Sequence, residues 1–314
     1  MVPKVNPWRE IYDSKQSVNP FKYGLPKFAL YIDVEPTNDC NFDCKFCVRQ
    51  QMKREIGYMN IDLIEKIAEQ AERYGSKGLR FLRWGEPLLN KHIVDFVKIT
   101  KKHNLLTHIT TNGSLLTKKI SKELIEAGLD SLIVSFQGLD KNEYTNLRGN
   151  HYDRVVNNLK NFIEIRNKSK VGNTWVHLST TVTDETEDEI NSFKKKWENV
   201  VDSVGVGYTW FRRIKDKSGI KDYVERQKPL PHYFRCIEVM TKLSIDWDGS
   251  VSPCCLDYDR EMTVGNIKKD DLLDIWNSDV VNAIRTILSH KRQDLLKMCS
   301  VCELNYSFRG KVDD

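Results

Sequence analysis

Cys40, Cys44 and Cys47 stand in the spacing C-x3-C-x2-C, and the other five of the eight cysteines, Cys236, Cys254, Cys255, Cys299 and Cys302, fall in the last quarter of the chain. Thiolates are ligands for zinc and for iron-sulfur clusters. Three of them so close on one loop are poor geometry for a tetrahedral zinc ion, which takes four ligands and usually shows paired C-x2-C spacings. They suit three irons of a [4Fe-4S] cluster whose fourth iron stays open, and an open iron is a binding position. The competing reading is a group of buried thiols that hold no metal. In the later set, by ligand spacing alone, a four-cysteine zinc knuckle is a real alternative. Cys254 and Cys255 are adjacent, and neighbouring residues rarely serve one metal site together. They are therefore expected to differ in use, and a free cysteine is often simply a small buried hydrophobe.

The rest of the composition bounds what such sites could serve. With 30% charged and 40% hydrophobic residues in 314, and only short apolar runs, neither a membrane span nor a disordered chain fits. The first residues contain no apolar stretch of signal-peptide length. A cytoplasmic protein with reduced thiols is expected, and no membrane partner. A net charge of +5 is modest for this length and does not call for a nucleic-acid partner. Glycine-rich phosphate loops and serine-nucleophile motifs are absent from the sequence.

The elements that must position the cysteines follow from periodicity. Residues 1–27, with prolines at 3, 7, 20 and 26, read as an irregular N-terminal arm. Strands are expected at 29–36, 79–85, 105–111, 131–137, 175–182 and 203–210, most followed by a helix, which implies βαβ units and a parallel α/β sheet. Between them, IDLIEKIAEQAERYG carries an apolar face ending at Gly75, TKKISKELIEAG starts at a Thr117 cap, and DETEDEINSFKKKW has acids first and lysines last, as the helix dipole favours. Residues 28–210 form this core, 211–235 a basic connector, and 236–314 a smaller domain with a hairpin turning at Asp248 and Gly249.

EPTNDCNFDCKFC resembles the cluster loop of the radical S-adenosylmethionine (SAM) enzymes, including Phe46 before the last cysteine. FLRWGEPLL is similar to that family's Gly-Gly-Glu-Pro stretch, TTNGSLL to the turn after its third strand, and SFQG to the end of its fourth, in order, over residues 29–210. The resemblance implies a partial (β/α)6 TIM-like barrel. It further implies SAM chelated at the open iron and cleaved by one electron into methionine and a 5'-deoxyadenosyl radical, which abstracts hydrogen from a C–H bond. It would place Gly85 and Glu86 by the SAM amino group, Asn112 in the SAM-binding turn, Ser135 by ribose or carboxylate, and Arg148 on the carboxylate. Asn112 could equally make only the turn, and Arg148 could equally be a surface or helix-start residue. The pattern departs at Trp84, where the first glycine of the motif would stand, and at Gln137, where relatives often carry aspartate.

Cys236, Gly249 followed by four residues and Cys254, then Cys299-x2-Cys302, resembles the SPASM/Twitch extension of this family. The resemblance implies one auxiliary [4Fe-4S] cluster on these four cysteines, since a second would need more than the chain has. It points to the aminocyclitol dehydrogenase and aminoglycoside epimerase members. Cys255 is then left over, and it is either a packed thiol or the hydrogen-atom donor of an epimerase. The expected substrate is a small molecule of carbohydrate type, a sugar, cyclitol or nucleotide sugar. Residues 212–235, with eight Lys or Arg against three acids, are either a solvated face or the reader of an anionic substrate. His108, His151, His177 and His232 are scattered and read as structural. Turnover needs a one-electron donor such as flavodoxin or ferredoxin. Three outcomes stay open: epimerisation with Cys255, dehydrogenation of an alcohol with the auxiliary cluster as electron acceptor, and modification of a ribosomal peptide. A zinc-bearing binding module is the reading without catalysis.

Overall fold

The computed structural model describes residues 5–17, 24–171, 173–211, 214–215, 227–229, 236–302 and 306–308. Six strands, β1 (Tyr31–Val34), β2 (Gly78–Phe81), β3 (Leu106–Thr111), β4 (Ser131–Ser135), β5 (Trp175–Val182) and β6 (Ser203–Tyr208), lie side by side in chain order and all parallel. These are the six strands the sequence predicts, most of them shortened at the ends where loops leave the sheet. A short strand β7 (Gln227–Pro229) pairs instead with β11 (Tyr306–Phe308). The main sheet continues past β1: β8 (Lys242–Ile245) lies parallel to β1, and β9 (Ser250–Ser252) and β10 (Gly265–Asn266) follow antiparallel. The C-terminal segment therefore extends the barrel sheet at its first edge.

The crossover helices form for local reasons. In Ile61–Tyr74, Asn60 accepts the Leu63 amide, Gly75 closes the end at φ 87°, and Leu63, Ile64, Ile67, Ala68 and Ala71 are buried. Lys118–Glu126 starts at a Thr117 cap. Glu187–Trp197 starts at a capping box between Thr186 and Glu189. The faces of the strands that meet these helices carry Ile32, Val34, Leu79, Phe81, Ile109, Leu132, Val134, Val176, Leu178, Leu243 and Ile245, all buried in one apolar core.

The opposite face of the same strands is polar. Asp33 accepts two bonds from Arg80 (2.6 and 2.9 Å) and one from Lys242 (2.6 Å), and all three side chains are largely or wholly shielded from solvent. Burial alone would raise the Asp33 carboxyl, but Arg80 and then Lys242 hold it far below the carboxylate range. His108, bonded to Ser131 and Thr110, is pushed down to about 3 by burial and then by Arg80, so it is neutral.

The N-terminal segment differs from the irregular arm its prolines suggest. Arg9–Ser17 is a helix that starts behind Pro7, and Asn6 accepts the Trp8 amide. Trp8 and Ile11 pack on Tyr31, and a Cβ on Gly78 would come within 2.6 Å of the Trp8 ring. Gly78 opens β2, so this helix closes the N-terminal end of the barrel.

Candidate active site

The cluster loop leaves β1 and is fixed before it reaches its cysteines. The Thr37 hydroxyl donates to the Gly57 carbonyl (2.6 Å), and Asn38 bridges the Glu55 carbonyl and the Gly57 amide (2.9 Å each). Asp39 accepts the Cys40 amide at 2.8 Å, and its carbonyl accepts the Glu86 amide at 2.7 Å. Gly85 lies directly against this loop. A Cβ there would meet the carbonyl oxygens of Thr37 at 2.1 Å and Asp39 at 2.6 Å, so no other residue fits.

Cys44 is buried and Cys40 and Cys47 half-buried, and burial pushes all three thiols up. Arg148 opposes this at Cys44, and Arg49 opposes it at Cys40 and Cys47. The Arg148 guanidinium lies 5.7 Å from the centre of the Phe46 ring and 6.0 Å from those of Phe42 and Tyr144, and it also donates to the Ser135 carbonyl. It thus ties the end of β4 to the cluster loop. Its Nε is buried with no partner among the described residues.

Glu86 is 2% exposed, and its carboxylate is already occupied. It accepts the Thr111 hydroxyl (2.6 Å), the Asn112 amide (2.7 Å) and the Leu88 amide (3.1 Å), while burial raises its pKa. Glu86 therefore holds the turn after β3 in place. Asn112 makes that turn, accepting from Ser114, and also reaches the cluster loop: its Nδ2 donates to Asn41 at 2.9 Å and lies 4.0 Å from the Cys40 sulfur. The side chain that makes the turn thus also touches the cluster loop. Replacing Glu86 by alanine leaves three donors unmatched in the core, and we expect a loss of about 3 kcal/mol of stability, measured by denaturant unfolding of the metal-free protein.

The two departures from the family pattern have structural work. Gln137 is wholly buried; its amide donates to the Thr181 carbonyl (2.8 Å) and Thr209 hydroxyl (2.9 Å), and its oxygen accepts from Thr181 (2.8 Å). An aspartate could not donate to that carbonyl. Gln137 is committed to joining the end of β4 to β5 and to the residue after β6. Trp84 packs edge-on against Tyr258 at 5.9 Å and joins the barrel mouth to the C-terminal segment. Arg83 before it has φ 99°, rare for a non-glycine residue. Its buried guanidinium crosses to Asp246 (3.1 Å) and the Asp257 carbonyl (2.8 Å).

Gly85, Glu86, Asn112, Ser135 and Arg148 are thus gathered with Cys40, Cys44 and Cys47 around the C-terminal ends of β1 to β4, where α/β folds bind ligands. The later cysteines gather separately. Cys236, Cys254, Cys255, Cys299 and Cys302 all line one cavity of about 410 Å³. Burial pushes the Cys236 thiol up to about 11, and burial followed by Cys255 pushes Cys254 up. Their loop is organised by Asp257, which accepts the amides of Glu261 and Met262 (2.9 Å each).

Both donor sets fit iron-sulfur clusters: all-thiol, desolvated and grouped. Among the described residues no three His, Cys, Asp or Glu side chains converge as ligands of a single metal ion would. A four-iron cluster instead spreads its thiolates over separate irons. The cavity is also lined by Lys15, Arg80, Lys242 and Glu238, and these ionic residues, Lys242 buried and the others half-buried, are not evident in the sequence. The basic stretch, 212–235 with His232, lies outside the described residues except at 214–215 and 227–229. No helix among the described residues is long and apolar enough to cross a membrane.

Comparison with known proteins agrees with this geometry. The model of the radical SAM superfamily matches residues 34–196, and that of an iron-sulfur cluster-binding domain, SPASM, matches residues 236–303. The chain is 26% identical to the tungsten-containing aldehyde ferredoxin oxidoreductase cofactor-modifying protein of Pyrococcus furiosus, over 87% of each chain. It is 25% identical to the S-adenosyl-L-methionine-dependent 2-deoxy-scyllo-inosamine dehydrogenase of Niallia circulans, over 88% of this chain and 94% of that one. Among solved structures, BtrN in complex with AdoMet and 2-DOIA superposes with a TM-score of 0.58 at 22% identity, over 87% of this chain and 92% of its own. Streptococcus suis SuiB bound to S-adenosylmethionine gives 0.66 at 22%, over 90% and 74%. At that identity the likeness is one of fold.

Proposed function

The chain belongs to the radical SAM superfamily and carries a SPASM iron-sulfur domain, and from that premise we propose that it epimerises a carbon of a carbohydrate-type substrate, with Cys255 as the hydrogen-atom donor. Cys40, Cys44 and Cys47 would hold the SAM-binding cluster, and Cys236, Cys254, Cys299 and Cys302 the auxiliary one. When bound and reduced, the first cluster supplies the electron that splits SAM into methionine and the 5'-deoxyadenosyl radical. That radical takes a hydrogen atom from a substrate carbon, giving 5'-deoxyadenosine. The Cys255 Sγ–H returns a hydrogen atom to the opposite face, because an S–H bond is weaker than most C–H bonds. The carbon is inverted, and one electron from a flavodoxin- or ferredoxin-class donor with one proton restores the thiol.

The observation that carries this reading is the position of Cys255. It lines the auxiliary cavity together with the four cysteines assigned to the cluster, and it is the one cysteine of the eight that neither cluster takes. In this scheme Arg148, Asn112 and Gly85 form the wall that orients SAM, with Ser135 beside them. Turnover of candidate sugars in deuterated water tests it, read by NMR of the product. Deuterium at an inverted carbon is expected, since the thiol exchanges with solvent; inversion with full retention of protium would overturn it.

A second reading, oxidation of a secondary alcohol, has its own support. The dehydrogenase from Niallia circulans aligns over nearly its whole length, and the auxiliary cavity is bordered by the cations Lys15, Arg80 and Lys242, which would favour taking up an electron. Here the substrate radical loses a second electron and its hydroxyl proton to give a ketone, and no hydrogen returns to carbon.

A further inference from the structure

We propose that Lys242, assisted by Arg80 and Lys15, sets the reduction potential of the auxiliary cluster by placing fixed positive charge at the wall of its cavity. The inference rests on the auxiliary cluster occupying that cavity.

Lys242 opens β8 and is 1% exposed, with its ammonium on Asp33 (2.6 Å) and Glu238 (2.7 Å). Arg80 binds the same Asp33, and Lys15 binds Glu238 and the Tyr31 hydroxyl (3.0 Å). Lys15, Arg80 and Lys242 are three cations against two carboxylates, Asp33 and Glu238, which leaves one positive charge over. Next to it, Arg54, Arg83 and Arg260 face Glu35, Asp246 and Asp248, three against three. A sixth carboxylate, Asp257, is met by the amides of Glu261 and Met262 and balances the total, so what distinguishes the cavity wall is the place of its charges: Lys15, Arg80 and Lys242 line it, and Glu238 is the one carboxylate among the lining residues.

Buried cations are costly to fold unless anions answer them. A [4Fe-4S] core bound by four thiolates is such an anion, and its negative charge grows by one on reduction. A fixed cation favours the reduced form more than the oxidised one, and net charge around a cluster is among the factors that set its potential. Lys242 lines the same cavity as Cys236, Cys254, Cys255, Cys299 and Cys302, which places it at the wall the thiols share. A cluster that accepts an electron readily suits the alcohol-oxidising reading in particular.

The test is an EPR-monitored redox titration of the full chain carrying alanine at Cys40, Cys44 and Cys47, so that only the auxiliary cluster is observed. Lys242→Met is expected to raise the ratio of oxidised to reduced cluster about tenfold at a fixed solution potential, a shift of about 59 mV to lower potential for a one-electron couple. Lys242→Arg, which keeps the charge, should return the midpoint to that of the parent. Lys15→Met lies outside the sheet and should move it in the same direction by less, so it decides the matter if Lys242→Met does not fold. Unmoved midpoints with iron and sulfide unchanged overturn the proposal. Absence of iron and sulfide from the parent triple variant would instead overturn the placement of the cluster.

Discussion

Alanine at any one of Cys40, Cys44 or Cys47 abolishes formation of 5'-deoxyadenosine, a fall on the order of a thousandfold or more, as expected when a member of a unit that acts in every turnover is removed. The structure explains why no neighbour substitutes. The loop is held by Thr37, Asn38 and Asp39 before it reaches Cys40, so another donor cannot slide into register. Cys44 is buried under Arg148 and sits in the apolar core, so its thiol has no freedom to be replaced by a surface ligand. Chromatography of the reaction of reconstituted, reduced protein with SAM checks this. Iron should fall while the auxiliary cluster remains visible by EPR. Continued cleavage of SAM by these variants would sink the cluster assignment.

Cys255→Ala separates the two reactions. Under the epimerase reading, SAM is still cleaved and 5'-deoxyadenosine still accumulates, but epimer formation drops by about a hundredfold or more, because hydrogen abstraction is intact and its return is not. The substitution removes one sulfur from a cavity that keeps its four other cysteines, so cluster content should be unchanged. An oxidised product formed at the parental rate by this variant favours dehydrogenation, for which the thiol is a bystander. Following 5'-deoxyadenosine and product in one assay distinguishes these outcomes, since only uncoupling of the two marks a lost donor.

What could be read from the sequence was what is local in it. Cys40, Cys44 and Cys47 lie within one loop, and Thr117 and Gly75 mark helix ends through bonds to adjacent turns. The six strands were visible because their core faces are apolar. Contacts between strands were not. Asp33 meets Arg80 across 47 residues and Lys242 across 209, and nothing in YIDV, GLRF or KLSI announces that their charges face one another. A signal was nonetheless there. Parallel strands covered on both faces usually read as continuous apolar runs, so single charges within them point into a barrel. Glu86 shows the same limit: its oxygens accept from a turn 25 and 26 residues on, bonds that the motif around it does not announce. The N-terminal helix was hidden by prolines, which break a helix interior but not the residues ahead of its first turn.

The pairing of β8 with β1 has a consequence for biosynthesis. β1 is made early and β8 only after residue 241, yet they share a register from Tyr31 with Lys242 to Val34 with Ile245. Until β8 emerges from the ribosome, β1 is an open edge, and Asp33 lacks one of its two counter-ions. The nascent barrel must wait with an adhesive margin exposed, the kind of intermediate that associates with other chains. A chain ending at residue 235 would keep all six barrel strands and still carry that margin permanently.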